Sequence, residues 1–131
     1  MEEKQTLTEQ WLERSAYDLS AAASLLKSGH FLYVAFLCQQ ASEKMLKGMW
    51  CALRKDSPPY SHNLSTLALS LDLSLSEIQF SLLDRLNSYY IVGRYPSFKQ
   101  KLASEIDKKA ASFLLQQTEE FLQWCRKYIK M

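Results

Sequence analysis

The chain is poor in the residues that metal sites and disulfide frameworks require. It has 131 residues, of which 3 are cysteine and 2 are histidine, and no two cysteines have CxxC spacing. An odd number of scattered cysteines argues against a disulfide framework or a zinc site and favours reduced thiols in a cytosolic protein. We therefore expect no metal, no cofactor and a cytoplasmic location.

Long apolar runs and a basic leader are also missing. The longest uninterrupted apolar run is FLYVAFLC, residues 31–38, far short of the roughly 20 residues that a membrane-spanning helix needs. The first residues, MEEKQTLTEQW, are acidic where a secretory signal is basic. The sequence therefore predicts neither membrane insertion nor export. A net charge of +2 indicates no particular class of partner.

Glycine and proline are scarce, with 3 of each, while 47% of the residues are hydrophobic. This composition favours helices over strands or disorder. A chain of this length is large enough to bury one core, so we expect a single domain over residues 1–131.

Apolar periodicity and helix-end signals predict the first half of the fold. A capping-box spacing at residues 6–9 starts the first helix, and Gly29 ends it. The second helix covers residues 31–54 and is apolar nearly all round in its first half, so we expect it to be central. Pro58 and Pro59 then interrupt the helical pattern.

The second half contains shorter segments and one long helix. Residues 61–71 predict a short helix, and a capping box at residues 76–79 starts another, which ends near Gly93 because Pro96 follows. The last helix begins near Gln100. Its predicted packing stripe is Ile106, Ala110, Phe113, Gln117, Phe121, Trp124 and Tyr128. The predicted fold class is all-α, an antiparallel up-and-down four-helix bundle with one additional short helix.

Standard catalytic motifs do not occur. The sequence has no GxGxxG, GxxxxGK[ST], HExxH or GxSxG, and no ExxH pair of the kind found in di-iron bundles. The second helix instead carries a polar strip, since Gln39, Glu43 and Lys47 recur every four residues, with Gln40 and Lys44 beside them. Polar groups on a buried helix need partners, so a groove or a subunit contact is one interpretation. An ordinary polar face with one Glu43–Lys47 pair is the other.

The sequence resembles the HEPN domain family over nearly its whole length. The matching motifs, in chain order, are Leu25-Leu26-Lys27-Ser28-Gly29, Tyr33, Ala35-Phe36, Gln39-Gln40-Ala41, Glu43-Lys44-x-Leu46-Lys47, His62-x-Leu64 with Leu67, and Tyr90 with Arg94-Tyr95-Pro96. The resemblance implies a small up-and-down helical bundle that forms a homodimer. It also implies a minimal nucleotidyltransferase as partner, often in a toxin–antitoxin pair.

Many proteins of this family cleave RNA without metal through an arginine that a histidine follows after four to six residues. Arginine can hold the phosphate while histidine acts as a general base on the 2′-OH. After Arg94, the three positions at that spacing hold Lys99, Gln100 and Lys101. We therefore predict no catalytic residue and expect that this ribonuclease activity is lost.

What the resemblance leaves is a predicted nucleotide- or RNA-binding site. The predicted site residues are Arg94, Tyr90, Tyr95, Lys44, Lys47, Glu43 and His62. In this interpretation the arginine holds a phosphate, a tyrosine stacks on a base, and the lysines add positive charge.

Each of these residues also has a purely structural interpretation. The tyrosines at helical spacing can be core residues with a solvated hydroxyl. Arg94 can cap helix carbonyls or pair with Glu43, and His62 can organise the start of the short helix. Two other functions stay open. One is a metal-independent ribonuclease that uses Arg94 with His62 brought in from elsewhere in the bundle or dimer; the other is a structural dimeric interaction module.

Overall fold

The structure is a computed structural model of the chain and describes residues 5–54, 56–93 and 95–130, with only the backbone of residues 91–93 and 96–98. Its elements in chain order are α1 (Leu7–Lys27), α2 (Phe31–Arg54), α3 (Leu64–Ser70), α4 (Glu77–Asn87), a 3-10 helix (Ser88–Gly93), α5 (Pro96–Glu105) and α6 (Lys108–Lys130). All regular elements in these ranges are helical, so the predicted all-α class is confirmed. None of the described helices combines the length and hydrophobicity needed to cross a membrane.

The ends of α1 follow the signals in the sequence. The Thr6 side chain accepts a hydrogen bond from the backbone N–H of Glu9 at 3.1 Å, which makes Thr6 the N-cap. At the other end Gly29 has a φ of +83°, a left-handed conformation that glycine adopts at low cost. Backbone bonds from Gly29 to Leu26 and from His30 to Leu25 close the helix and turn the chain into α2.

The central helix is α2, as predicted, because the other helices of the described chain all pack against it. It lies antiparallel to α1: the hydroxyl of Ser15 donates to the backbone oxygen of Ala41 at 2.7 Å, and Gly48 lies against Trp11 near the start of α1. Many of its apolar residues, among them Met45 and Met49, are fully buried.

Polar contacts join α3 both to α2 and to α4. The Arg54 guanidinium at the end of α2 donates to the backbone oxygen of Ser70 and to Asp72. Ser76 and Gln79 form the predicted capping box at the start of α4. At the end of α4, the Asn87 side chain accepts from the backbone N–H of Leu64 at 2.8 Å, which fixes the first residue of α3.

The predicted continuous last helix is wrong, because the chain leaves the helical conformation at Ile106 and begins α6 after Asp107. The carboxylate of Asp107 accepts from the N–H of Ala110 at 2.8 Å, and its backbone oxygen accepts from Ala111. Asp107 is therefore the N-cap of α6. Of the helices described, α1, α2 and α6 have 21, 24 and 23 residues, while α4 has 11, so the arrangement of four long helices stays a prediction.

The buried face of α6 is also rotated from the predicted stripe. Its buried residues are Ala111, Leu114, Thr118, Phe121, Leu122 and Cys125. Of the predicted stripe, Phe121 is buried in α6 and Ile106 is buried just before it, whereas Ala110, Trp124 and Tyr128 are only partly buried against the core. Both sets repeat every three to four residues, so helical periodicity alone does not separate them. Packing against α2 and α1 selects the observed set and leaves Phe113 half-exposed on the side of α4.

Candidate functional site

The polar strip of α2 lies inside the protein. Gln39 is fully buried, and Glu43 and Lys47 are 6% and 7% exposed. As predicted, the three side chains lie on one face of α2. Because buried polar groups must find partners, the contacts of these side chains define a site.

Glu43 is the centre of these contacts. Its Oε2 accepts from the ammonium of Lys47 at 3.1 Å, and its Oε1 accepts from the amide of Gln39 at 3.2 Å. The Nδ1 atom of His62 lies 3.1 Å from both carboxylate oxygens. A carboxylate only accepts hydrogen bonds, so the Nδ1 atom carries a proton and the Nε2 atom is directed away from Glu43.

His62 is brought to α2 by the segment that follows the two prolines. Its backbone oxygen accepts from the Gln39 amide at 3.3 Å. The next residue, Asn63, is the N-cap of α3 and accepts from the N–H of Thr66 at 2.9 Å. His62 therefore lies directly before the N-cap of α3, which is Asn63, and contacts the polar strip of α2.

Two tyrosine rings surround the imidazole. The ring of Tyr90, in the 3-10 helix, stacks on His62 with centroids 4.3 Å apart and planes 16° from parallel. The ring of Tyr60 meets His62 at 71°, with centroids 5.5 Å apart. The His62 side chain keeps 30% of its surface exposed, and within the described residues its Nε2 atom forms no hydrogen bond. We call Gln39, Glu43, Lys47, His62 and Tyr90 the polar–aromatic cluster.

Two predicted site residues follow Tyr90 in the chain. Arg94 lies outside the described residues, so its predicted contact with a phosphate stays a prediction. Tyr95 is half-exposed and occupies the N-cap position of α5 without a side-chain capping bond. In sequence, Tyr95 is five residues from the tyrosine that stacks on His62.

The two predicted lysines are both held by carboxylates. Lys47 pairs with Glu43, and its ammonium also lies 5.7 Å from the centre of the Trp11 ring. Lys44 pairs with Asp18 of α1 and does not join the polar–aromatic cluster. Their positive charges are therefore balanced within the protein.

Sequence reasoning missed Tyr60 and Trp11, which contact the cluster from outside α2. The periodicity of α2 could not reveal them, because Tyr60 lies in the loop before α3 and Trp11 lies in α1. The position of Tyr60 directly after Pro58 and Pro59 was a usable signal, since paired prolines restrict the backbone and an aromatic residue beside them is held in a limited range of positions.

The cysteines and acidic residues do not form a second reactive site in the described chain. Burial raises the pKa of the Cys38 thiol to about 11 and also raises the pKa of Cys125, so both thiols are neutral at pH 7 and poor nucleophiles. No group of three or more His, Cys, Asp or Glu side chains among the described residues is arranged to hold a metal ion.

The chain is similar to known proteins in sequence and in fold. The family model described as HEPN domain matches residues 8–128. The crystal structure of TT1696 from Thermus thermophilus has a TM-score of 0.79 and 24% sequence identity, over 94% of this chain and 98% of that chain. The structure of ST0689, an archaeal HEPN homologue, has a TM-score of 0.75 and 20% identity, over 95% and 99%. No curated protein matches the sequence.

Proposed function

Because the chain belongs to the HEPN family, we propose that it binds a nucleotide or RNA and acts together with a minimal nucleotidyltransferase. One observation supports this most: a buried carboxylate, Glu43, holds a partly exposed imidazole whose ring stacks on Tyr90. Stacked aromatic rings at a surface suit a nucleobase, which has a π-face of its own.

In this proposal, aromatic side chains contact the base of the ligand and a cationic side chain binds its phosphate. His62 and Tyr90 belong to the aromatic part of the site, beside which a base binds, and Arg94 provides the positive charge for a phosphate. Arginine suits this role because its planar guanidinium bonds two phosphate oxygens at once. Lys44 and Lys47 pair with Asp18 and Glu43. Lys47 contributes to the site by neutralising Glu43, a carboxylate that would otherwise repel an anion, whereas Lys44 neutralises Asp18 outside the polar–aromatic cluster.

Titration of the purified protein with ATP, GTP and a short single-stranded RNA tests the binding proposal. We expect saturable binding of at least one of them and a loss of about tenfold or more in affinity for Arg94→Ala, since hydrogen bonds between charged groups are the strong ones. Arg14→Ala is the matched control, because it removes the same charge from an exposed position on α1. No binding of any ligand by the unmodified protein contradicts the proposal.

The partner is tested separately. We propose that a small nucleotidyltransferase is encoded in a neighbouring gene and that the two proteins form a toxin–antitoxin pair. Co-expression with one tagged partner is expected to recover both proteins, and expression of one partner alone is expected to slow growth. A neighbouring gene of another kind, or two proteins that do not associate, contradicts this part of the proposal.

RNA cleavage is a second candidate function, and the Glu43–His62 pair favours it. A histidine whose Nδ1 atom bonds a carboxylate is oriented so that its Nε2 atom can take a proton from a 2′-OH. The test is incubation of single-stranded RNA with the protein in EDTA, with His62→Ala as the comparison. Products with 2′,3′-cyclic phosphate ends that disappear with His62→Ala support cleavage, and intact RNA contradicts it.

We also propose that the chain forms a homodimer through the groove between α4 and α6. The groove is lined by Ile78 and Leu82 of α4 and by Phe113 of α6, and Ile78 and Phe113 are 71% and 52% exposed. Arg85 and Glu77 also line it. Around a twofold axis the arginine of one copy can therefore meet the glutamate of the other.

Light scattering after size-exclusion chromatography tests the dimer. The unmodified chain is expected at twice the monomer mass, and Phe113→Glu is expected at the monomer mass, because it places a charge in the apolar contact. Leu69→Glu, at another exposed apolar position on α3, is the control and is expected to stay dimeric. A monomeric unmodified chain, or a dimeric Phe113→Glu variant, contradicts the proposed surface.

A further inference from the structure

We infer that Tyr60 is the side chain on which the site stacks an unpaired nucleobase. This inference rests on the proposed nucleotide- or RNA-binding function and names the part of the ligand that the surface around His62 contacts. It starts from one property of the residue. Tyr60 is 92% exposed, more than any other large apolar side chain in the described part of the chain.

The folded chain gains little from a ring in this position. The free energy of burying an aromatic side chain depends on the area removed from water, and Tyr60 has lost almost none. Its contact with His62 is through one ring pair with planes at 71°. The faces of the Tyr60 ring therefore stay open to solvent, whereas the facing surfaces of His62 and Tyr90 are already used by each other.

The backbone around Tyr60 is nevertheless well defined. Pro58 and Pro59 precede it, and proline fixes its own φ angle. The backbone N–H of Ser61 donates to the carbonyl oxygen of Pro59 at 3.0 Å, which closes a tight turn around Tyr60. On the far side, His62 is bonded to Glu43. The ring is thus exposed on a turn whose backbone is restricted, so binding loses less backbone conformational entropy than it would on an unrestricted loop.

Three rings then follow one another from the interior to the surface: Tyr90, His62 and Tyr60. A base placed on the outer ring extends this series. Bases in a duplex are already stacked on their neighbours, so the ligand is a free nucleotide or a single strand with an unstacked base. Because the Tyr60 ring contacts only the π-face, which every base has, we expect different bases to bind with similar affinity.

The experiment compares binding of a fluorescein-labelled single-stranded RNA with binding of the same RNA in which all bases have been removed. Four proteins are measured: the unmodified chain, Tyr60→Ala, Tyr60→Phe and Tyr17→Ala. Tyr17 is the matched control because it is another strongly exposed tyrosine, on α1. Anisotropy gives the affinities, and a 2-aminopurine in the RNA reports stacking directly, because its fluorescence is quenched when it stacks.

We expect Tyr60→Ala to lower the affinity for the intact RNA by about tenfold, with loss of part of the 2-aminopurine quenching. The abasic RNA is expected to bind Tyr60→Ala and the unmodified chain equally. Tyr60→Phe keeps the ring and is expected to bind normally, as is Tyr17→Ala.

The outcomes separate this inference from the proposed function. If the unmodified chain binds RNA and Arg94→Ala weakens it, but Tyr60→Ala binds with unchanged affinity and quenching, the stacking role is wrong and the proposed function stands. An equal loss for intact and abasic RNA also overturns the stacking role, since it shows an effect on the phosphate backbone or the fold. If the unmodified chain binds neither nucleotides nor RNA, both are overturned.

Discussion

The Nδ1 atom of His62 lies 3.1 Å from both carboxylate oxygens of Glu43, although 19 positions separate the two residues in the chain. This contact ties the loop after the prolines to the centre of α2. It holds the imidazole so that one nitrogen faces the interior and the other is directed away from the carboxylate. The same carboxylate also accepts from Lys47, so the site depends on an ion pair that is almost fully buried.

Glu43→Gln is therefore expected to destabilise the protein strongly. The glutamine leaves the Lys47 ammonium without its counter-charge in a position that is less than a tenth exposed. Removal of one partner of such a pair costs about 3–5 kcal/mol. Urea denaturation followed by circular dichroism measures this as a lower free energy of unfolding.

Asp72→Asn is the matched control for Glu43→Gln. It makes the same acid-to-amide change in the ion pair with Arg54, where the Asp72 side chain is 85% exposed, and asparagine tolerates the positive φ of 56° at this residue. An exposed pair contributes less than about 1 kcal/mol. Equal losses for the two variants contradict a buried charge effect. Adding Lys47→Met to Glu43→Gln is expected to recover part of the loss, since it removes the unpaired charge.

Gly48→Ala tests how closely α1 and α2 approach. A Cβ atom at position 48 would lie 3.1 Å from Cβ of Trp11 and 3.3 Å from Cδ2 of Leu12. The Trp11 atom is next to the backbone and moves only with α1. We expect a net loss of about 1–3 kcal/mol from overpacking, although alanine in a free helix is about 1 kcal/mol better than glycine.

The control for that variant is Gly29→Ala. No atom lies within 4 Å of its added Cβ, so its cost comes only from the φ of +83° and is expected to be about 1–2 kcal/mol. Thermal unfolding of both variants separates packing from backbone conformation. A Gly48→Ala variant that melts above the unmodified protein contradicts the close approach.

The helix ends that were predicted correctly depend on residues a few positions apart. The N–H of Glu9 donates to the Thr6 side chain, the N–H of Gly29 donates to the Leu26 carbonyl, and Ser76 and Gln79 bond each other, all within a single turn. Such local hydrogen bonds leave a sequence signal because the same residue types are needed wherever a helix begins or ends.

Features that depend on contacts between residues far apart in the sequence leave no such local signal. The buried face of α6 includes Leu114 and Cys125 rather than Phe113, and two apolar stripes of the same period compete for that role. In the site, the repeat of Gln39, Glu43 and Lys47 was visible in the sequence, and the family resemblance pointed to His62. The contacts that His62 and Tyr60 make depend on how the loop after Pro59 folds. That loop has no period from which its contacts can be predicted.

Asp107 is expected to account for the start of α6. Its carboxylate accepts from the N–H of Ala110 at 2.8 Å, and loss of such a cap costs about 1 kcal/mol. Asp107→Ala should therefore lower the free energy of unfolding by about that amount, whereas Asp107→Asn, which keeps a side-chain oxygen, should stay close to the unmodified protein. If the two variants lose the same amount, the charge and not the cap is responsible.

The buried thiol of Cys38 predicts a loss of stability at high pH. Burial raises its pKa from 9.0 to about 11 in the folded protein. Well below pH 9 the thiol is protonated in both states and contributes no pH dependence. Between about pH 9 and 11 the unfolded chain loses this proton while the folded chain keeps it, so the free energy of unfolding falls by up to about 1.4 kcal/mol per pH unit.

Cys38→Ala should remove that contribution, so its stability curve should be flatter than that of the unmodified protein over the same pH range. Urea denaturation at several pH values between 8 and about 10.5 measures the difference. Cys51→Ala is the control: its thiol is only partly buried, and although desolvation also raises its pKa, we expect a smaller change in slope. If the stability curves of the unmodified protein and Cys38→Ala are parallel over this pH range, the pKa of Cys38 is not raised in the folded protein.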